Sequence, residues 1–431
     1  MKQTKILLLA LLFMVIPKNL WAYTKDQIVT FDNKTYKVLV PDGANASLMF
    51  VGTTLSGELV IPSKVNDNQG TTFTVTEVGE ETNYDCKNVT SVKLPETIKK
   101  IGSGVFKDAT LTKLDIPKSV EEISNTVWVA VAQNPECNVA LENPKFESDD
   151  KGVLYTKGKE ELRTVPSNIM TKVSGDTYTV NTDVKSITVG AFAEAPNLKK
   201  IKLPAGLEKV GEEGWPSIAS TSTLEAFEID SGNANFDVVD GVLFTKGPKK
   251  LLLYPHAKNV TDYTVPAGVE EIASYGISRN KYITSIDLKD VTKVQISALV
   301  NLLKLKTITI PKNLKKAGLE KGAFEGCSAL EAYKVAEGNT DFSEEDGVLF
   351  SADKTTLYFY PLAKPDVAYT IPNTVKVIAD KSFQGAIKLT SLVIPTSVES
   401  INSQAFRQNY NLTSVTFLEP SNITSLANYA F

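Results

Sequence analysis

The chain has 431 residues, 46 Lys and Arg against 50 Asp and Glu, one histidine and three cysteines. Its arginines, Arg163, Arg279 and Arg407, are scattered. Nucleic-acid recognition leans on clustered basic residues and on the bidentate guanidinium fork, so this composition argues against nucleic acid as a partner.

Lys2 and Lys5 precede the apolar run Ile6–Ile16, and Leu20-Trp21-Ala22 ends on a small residue, so residues 1–22 read as a secretory signal cleaved near Ala22. The run is too short to cross ~30 Å of hydrocarbon, and no later stretch approaches ~20 apolar residues. The mature chain is therefore expected to be soluble, without a transmembrane segment, and secreted, extracellular or at the cell surface, with the periplasm as the remaining compartment. No cysteine follows the signal closely, which removes the usual lipid-anchoring reading. Without Lys2, Lys5 and Lys18 the count becomes 43 Lys and Arg against 50 Asp and Glu, a formal charge of −7.

Residues 23–80 carry "DQIVTFDNKTYKVLV" (Asp26–Val40) and "GTTFTVTEVG" (Gly70–Gly79), which alternate like exposed-edge strands. They are expected to form an N-terminal cap and first atypical repeat, because the terminal unit of a solenoid meets water on one face.

From residue 81 to 431 the chain is periodic. Counting from Pro395, apolar residues stand at Ile394, Val398, Ile401 and Phe406; the same offsets give Leu94, Ile98, Ile101 and Phe106 around Pro95. Around Pro117 they give Ile116, Val120, Ile123 and Trp128, and around Pro204 Leu203, Leu207, Val210 and Trp215. Successive prolines lie 22 or 23 residues apart, from 95 to 117 and from 372 to 395. A period in the twenties with Leu or Ile at fixed offsets is the signature of a leucine-rich repeat solenoid, one coil per period. Segments such as "LTSLVIP" (Leu389–Pro395) alternate like half-buried strands, and stacking would pair them into a parallel sheet. Proline then closes each strand, since it offers no N–H. The expected fold is a strand-dominated right-handed coil with a parallel β-sheet face and a period of ~22–23 residues.

Three longer modules, at about 143–232, 233–338 and 339–431, are nested on this period. Each opens with an Asn and holds a Gly-Val-Leu-aromatic segment, at Gly152, Gly241 and Gly347. "GVLFTKGPKKLLLYP" reads as two strands joined by a short loop, a variation on the coil. The last coil stops at Phe431, in the aromatic slot, which is read as a truncated chain or as an edge covered by something outside it.

"IPTSVESINSQAF" followed by "NLTSVTF", with "GAFEGCSALEAY" at Gly322–Tyr333, resembles the BspA-type leucine-rich repeat family of bacterial surface proteins over nearly everything from Gly57 onward. The resemblance implies a non-enzymatic, adhesin-like binding protein that engages host or other cell-surface macromolecules.

The residues offer little catalytic chemistry. His256, in "YPHAK", is matched by Leu362 in "YPLAK", and a position that accepts Leu does not read as a catalytic base. With one histidine, no Ser-His-Asp or Cys-His set exists without it, and His-rich zinc sites are excluded. Cys86 and Cys327 fall in slots held elsewhere by Ala109, Ala195 and Ala386, which asks for a small buried side chain; they lie too many coils apart to bridge. Cys137, in "NPECNVAL", is read as off the ladder. Trp128 and Trp215 occupy the Phe slot and read as core. Asp149-Asp150 and Glu344-Glu345-Asp346 could suggest calcium or glycoside chemistry, but Lys151 stands where Asp240 and Asp346 stand, so they read as solvated turns. No catalytic, cofactor or metal site is expected. What remains is the outward row of the strands, Lys93, Asp115, Lys202, Asp287, Thr309, Val393 and Thr416, whose chemistry does not repeat. An extended sheet face is where solenoids bind. The expected partner is a protein or glycan ligand at the cell surface, host extracellular matrix among the candidates. The competing readings are a carbohydrate-active parallel β-coil enzyme, which needs a clustered set of acids not seen here, and a structural spacer of an envelope assembly.

Overall fold

The computed structural model describes residues 23–431 except 68–69, 80–85, 105, 107, 126, 128–132, 194, 212–220, 248 and 321. The readings of residues 1–22, Trp128 and Trp215 lie outside the described residues. The chain winds a strand-dominated solenoid of about 15 turns, almost without helix.

Each coil has three parts. A strand of about four residues, such as Lys113–Ile116 or Ser391–Ile394, buries alternate side chains and ends at the proline. A two-residue strand follows after a tight turn, as at Lys100–Ile101 and Glu122–Ile123. A looser turn then presents the aromatic slot. Long strands pair in parallel with long strands, Ser91 opposite Lys113 and Leu114 opposite Cys137. Short strands pair in parallel with short strands, Ile101 opposite Ile123. The solenoid thus has two sheet faces where the periodicity anticipates one, because two residues are too few to show alternation.

The offsets read from the prolines point inward. Ile98, Ile101, Phe106, Val120, Leu203, Leu207, Val398 and Ile401 are fully buried, while Leu94 is half-buried. Burying a side chain of this size contributes about 1.5–3 kcal/mol.

The three Gly-Val-Leu-aromatic segments each lie in an antiparallel three-stranded meander. In the second module Phe236–Val239, Val242–Thr245 and Lys250–Leu253 pair in sequence, and the last then pairs in parallel with Glu271–Ile272. The middle strand is buried on both faces, which explains its unbroken apolar run. Leu243 enters the core of the preceding coils, while Val242 and Phe244 enter the core of the following ones. Leu154 and Leu349 are divided from their neighbours in the same way. Each meander is a partition between two stretches of core.

The Asp-Gly turn of the meander presses onto the last long strand before it. Gly241 has φ +72°, and a Cβ there would stand 2.8 Å from the Cβ of Ala226; Gly347 meets Ala332 at the same distance. Only a glycine accepts that backbone together with that approach. The amides of Cys137, Phe227 and Tyr333 donate to the carbonyls of Gly152, Gly241 and Gly347.

The opening Asn of each module is a clasp, buried at Asn143 and Asn233 and half-buried at Asn339. The Asn233 amide group donates to the carbonyls of Pro204, Ala205 and Leu207, and its carbonyl accepts from the amides of Asn235 and Phe236 at 2.8 and 2.7 Å. Asn143 and Asn339 repeat the arrangement on Pro117 and Val120 and on Pro311 and Leu314. One side chain thereby ties a meander to the proline turn of the preceding coil.

At the N-terminal end Ile28–Phe31, Lys34–Val40 and Ser47–Thr53 form an antiparallel run. Ser47–Thr53 then pairs in parallel with Thr72–Val78, which leads into the short-strand sheet at Lys100–Ile101. Ile28–Phe31 is an edge strand, as its alternation suggests, but Lys34–Val40 and Thr72–Val78 are interior. Alternation reports one buried face and says nothing about the number of hydrogen-bonded neighbours.

Candidate binding face

The long strands separate two classes of position. Leu114, Ile201, Ile308 and Leu392 point inward and are at most 1% exposed. On the opposite face Lys93, Asp115 and Thr416 are exposed, and Lys202, Asp287, Thr309 and Val393 are half-exposed. The register sets Lys93 opposite Asp115 and Asp115 opposite Asn138. Lys202 stands between Thr179 and Glu228. Asp287 stands between Thr264 and Thr309, and Val393 between Thr370 and Thr416.

The seven residues therefore do not lie on one continuous ladder. Lys93 and Asp115 share a first hydrogen-bonded sheet, Lys202 a second, Asp287 and Thr309 a third, and Val393 and Thr416 a fourth. Each break falls where the glycine turn of a meander, at Gly152, Gly241 or Gly347, takes a hydrogen bond that a further long strand would have made.

Charges on this face are engaged with their neighbours. Lys93 lies 2.7 Å from Glu58, and Lys202 lies 2.8 Å from Asp230. In both, the hydrogen bond to the carboxylate holds the ammonium pKa above its ordinary value. Asp115 takes Lys113 at 3.2 Å and the Asn138 amide at 3.0 Å. Asp287 accepts from the Lys289 amide at 3.0 Å. Such exposed pairs contribute little to stability, so the face can exchange them for contacts with a partner. The fourth sheet presents Thr370, Val393 and Thr416, a row without charge.

The residues weighed for chemistry are half-buried or buried, or are engaged with partners inside the protein. Burial pushes the His256 imidazole down to about 4, with Arg279 and Lys281 adding to it. The carboxylates of the Asp-Gly turns hold lysines: Asp240 pairs with Lys258 at 3.0 Å and Asp346 with the buried Lys364 at 2.7 Å, which also pairs with Asp366 at 2.9 Å. Asp149 accepts from the amides of Lys151 and Val153. Cys86, Cys137 and Cys327 are three buried thiols. Cys137 is not off the ladder: it occupies an inward position of the strand Glu136–Val139, the slot of Phe227 and Tyr333. Its segment hides the period because the chain turns there into a meander and no Ile-Pro follows. Among the described residues no group of three or more His, Cys, Asp or Glu converges as a metal site, and no helix is long and apolar enough to cross a membrane.

The model of the BspA type leucine rich repeat region matches residues 63–139, 155–238, 253–346 and 367–431. Among solved structures, a leucine rich cell surface protein from Faecalibacterium prausnitzii A2-165 is similar at 16% identity over 91% of this chain and 95% of that one, with a TM-score of 0.39. The pneumococcal vaccine antigen PcpA gives 19% identity, 94% and 88% coverage and a TM-score of 0.40. A leucine-rich repeat protein from Eubacterium ventriosum ATCC 27560 gives 18%, 93% and 92%, and 0.43. No curated protein matches the chain. With matched blocks spread from residue 63 to 431, the chain belongs to the BspA-type leucine-rich repeat family.

Proposed function

We propose that this chain is a secreted or cell-surface, non-enzymatic binding protein that engages a macromolecular ligand, protein or glycan, through the outward row of its long strands. In this reading residues 1–22 are a signal removed near Ala22, residues 23–80 cap the first coil, and the three modules at about 143–232, 233–338 and 339–431 divide the binding face into segments. The observation that carries it is the contrast between the two faces of the same strands. Inward positions keep one chemistry from coil to coil, while outward ones run from Lys93 and Asp115 through Lys202 and Asp287 to Thr309, Val393 and Thr416. Packing fixes the first set and leaves the second free to be shaped by a partner. The family supports a surface role, and members of it bind macromolecules.

A pull-down from host extracellular-matrix extract, run beside a glycan array, tests the reading. A partner retained by the parent chain and lost by a variant carrying Lys93→Glu, Lys202→Glu and Asp287→Lys supports it. A partner held equally by both places the contact elsewhere.

A further inference from the structure

Turns on the aromatic side of the solenoid stack coil on coil. Each carries two left-handed residues four apart: Tyr275 and Arg279, Ser297 and Asn301, Gly322 and Gly326, Lys381 and Gly385, Gln404 and Gln408. Backbone hydrogen bonds join them, Tyr275 to Ser297, Asn301 to Glu325, and Lys381 to Ser403. Between Gly322–Gly326 and Lys381–Gly385 the third meander intervenes. Among the described residues no backbone hydrogen bond crosses that gap from turn to turn. The gap is a pocket of about 760 Å³, within the ~300–1,000 Å³ range of ligand sites.

Three of the four left-handed positions bordering the gap are glycine, where neighbouring coils carry Ser297, Asn301, Gln404 and Gln408. At Gly385 a Cβ would stand 3.9 Å from Leu362 of the pocket wall, so the missing side chain leaves that side of the mouth open. The pocket wall is aromatic: Phe359 meets Phe324 edge-on at 6.0 Å, and the half-exposed Tyr358 ring is held by Phe342 on one side and by the Lys316 ammonium at 4.7 Å. Tyr358 and Phe359 take the places of Leu252 and Leu253 in the second module, where those residues are buried. The rim is polar and uncharged at Gln384 and Gln408, whose amides touch at 3.2 Å.

The charges around the pocket already have partners within the protein. Glu325 pairs with Lys381 at 3.5 Å across the gap, Glu320 accepts from the Ile296 amide, and Asp380 accepts from the Ser403 amide. Lys316 and Lys381 against Glu320, Glu325 and Asp380 leave the lining at a formal −1, which disfavours anions. A purely apolar ligand would strip water from the amides without replacing it. A neutral sugar offers what the lining lacks: apolar C–H faces for the rings and hydroxyls for the amides.

We propose that this pocket is a binding site for a neutral oligosaccharide, separate from the sheet face and independent of the function proposed above. Gly385→Asn is the direct test, because Asn tolerates the left-handed conformation and a Cβ there comes no nearer than 3.9 Å to Leu362. Calorimetric titration of the full chain with cellohexaose, maltohexaose, mannohexaose and a neutral mucin-type hexasaccharide should find one that binds. Gly385→Asn and Tyr358→Ala should each weaken it by about tenfold or more, a change of about 1.4 kcal/mol. Gln384→Ala with Gln408→Ala, on exposed turns, should weaken it while leaving the circular dichroism spectrum unchanged. Absence of binding by all four sugars at millimolar concentration overturns the proposal. So does binding that Gly385→Asn leaves intact, or a sulfated sugar that binds better than the neutral ones.

Discussion

Asn233→Ala removes a clasp that the fold uses three times. The side chain is 3% exposed and has two N–H groups to share among three carbonyls, plus two accepted amide bonds, so four hydrogen bonds are lost at most. At about 1 kcal/mol net for each, less what water can restore, the loss is roughly 2–4 kcal/mol. Because each coil touches only its neighbours, the damage should be local. Hydrogen exchange should show protection falling first in the amides of Asn235 and Phe236 and along the meander strand Phe236–Val239, with the coils around Ile401 unchanged. Asn233→Asp is the discriminating companion. It keeps the acceptor for the two amides but sets a carboxylate against the carbonyls of Pro204, Ala205 and Leu207, so it should be destabilising at neutral pH and partly relieved as the acid protonates. A change within ~0.5 kcal/mol for Asn233→Ala, or protection lost evenly along the chain, would refute the clasp.

Two further outcomes follow from the core. Phe406 stacks between Phe383 at 5.1 Å and Phe431 at 4.9 Å, and Phe406→Ala should cost ~3–5 kcal/mol, seen in hydrogen exchange as fraying of the C-terminal coils before any other. The His256 imidazole has its pKa lowered to about 4 in the folded chain against 6.5 ordinarily, so between these values the unfolded chain binds more protons and stability falls as pH falls. His256→Leu, which installs the residue found at Leu362, should flatten that segment of a stability-against-pH curve; a curve identical to the parent's would contradict the burial.

Much of the fold can be read from the chain because packing repeats. Leu94 excepted, the described residues at the fixed offsets from Pro95, Pro117, Pro204 and Pro395 are buried, and the unbroken apolar run after Gly241 marks a strand with core on both sides. What escapes is whatever lacks a period. The short strands at Lys100–Ile101 and its equivalents are two residues long, below the length at which alternation is visible. Cys137 reads as displaced because a meander replaces the expected proline. The Asn clasp was legible in principle, since Asn143, Asn233 and Asn339 open the three modules, but a buried asparagine and a turn asparagine look alike until its partners are seen. The outward row is legible residue by residue; its division into four sheets is not, because the hydrogen bonds that break it come from turns further along the chain, as from Phe227 to Gly241. The pocket between Gly322–Gly326 and Lys381–Gly385 joins turns more than fifty residues apart, a proximity set only by how the coils stack.

The binding face itself is tested most directly by the affinity of the charge-reversed chain. Lys93→Glu, Lys202→Glu and Asp287→Lys change outward residues alone, so the variant should keep the parent's circular dichroism spectrum and melting temperature while losing most of its affinity, by surface plasmon resonance, for the partner retained from matrix extract. Undiminished affinity in this variant, with loss instead when the meander loops at Lys246–Lys250 and Ser351–Thr355 are altered, would contradict the assignment and move the partner to the loops.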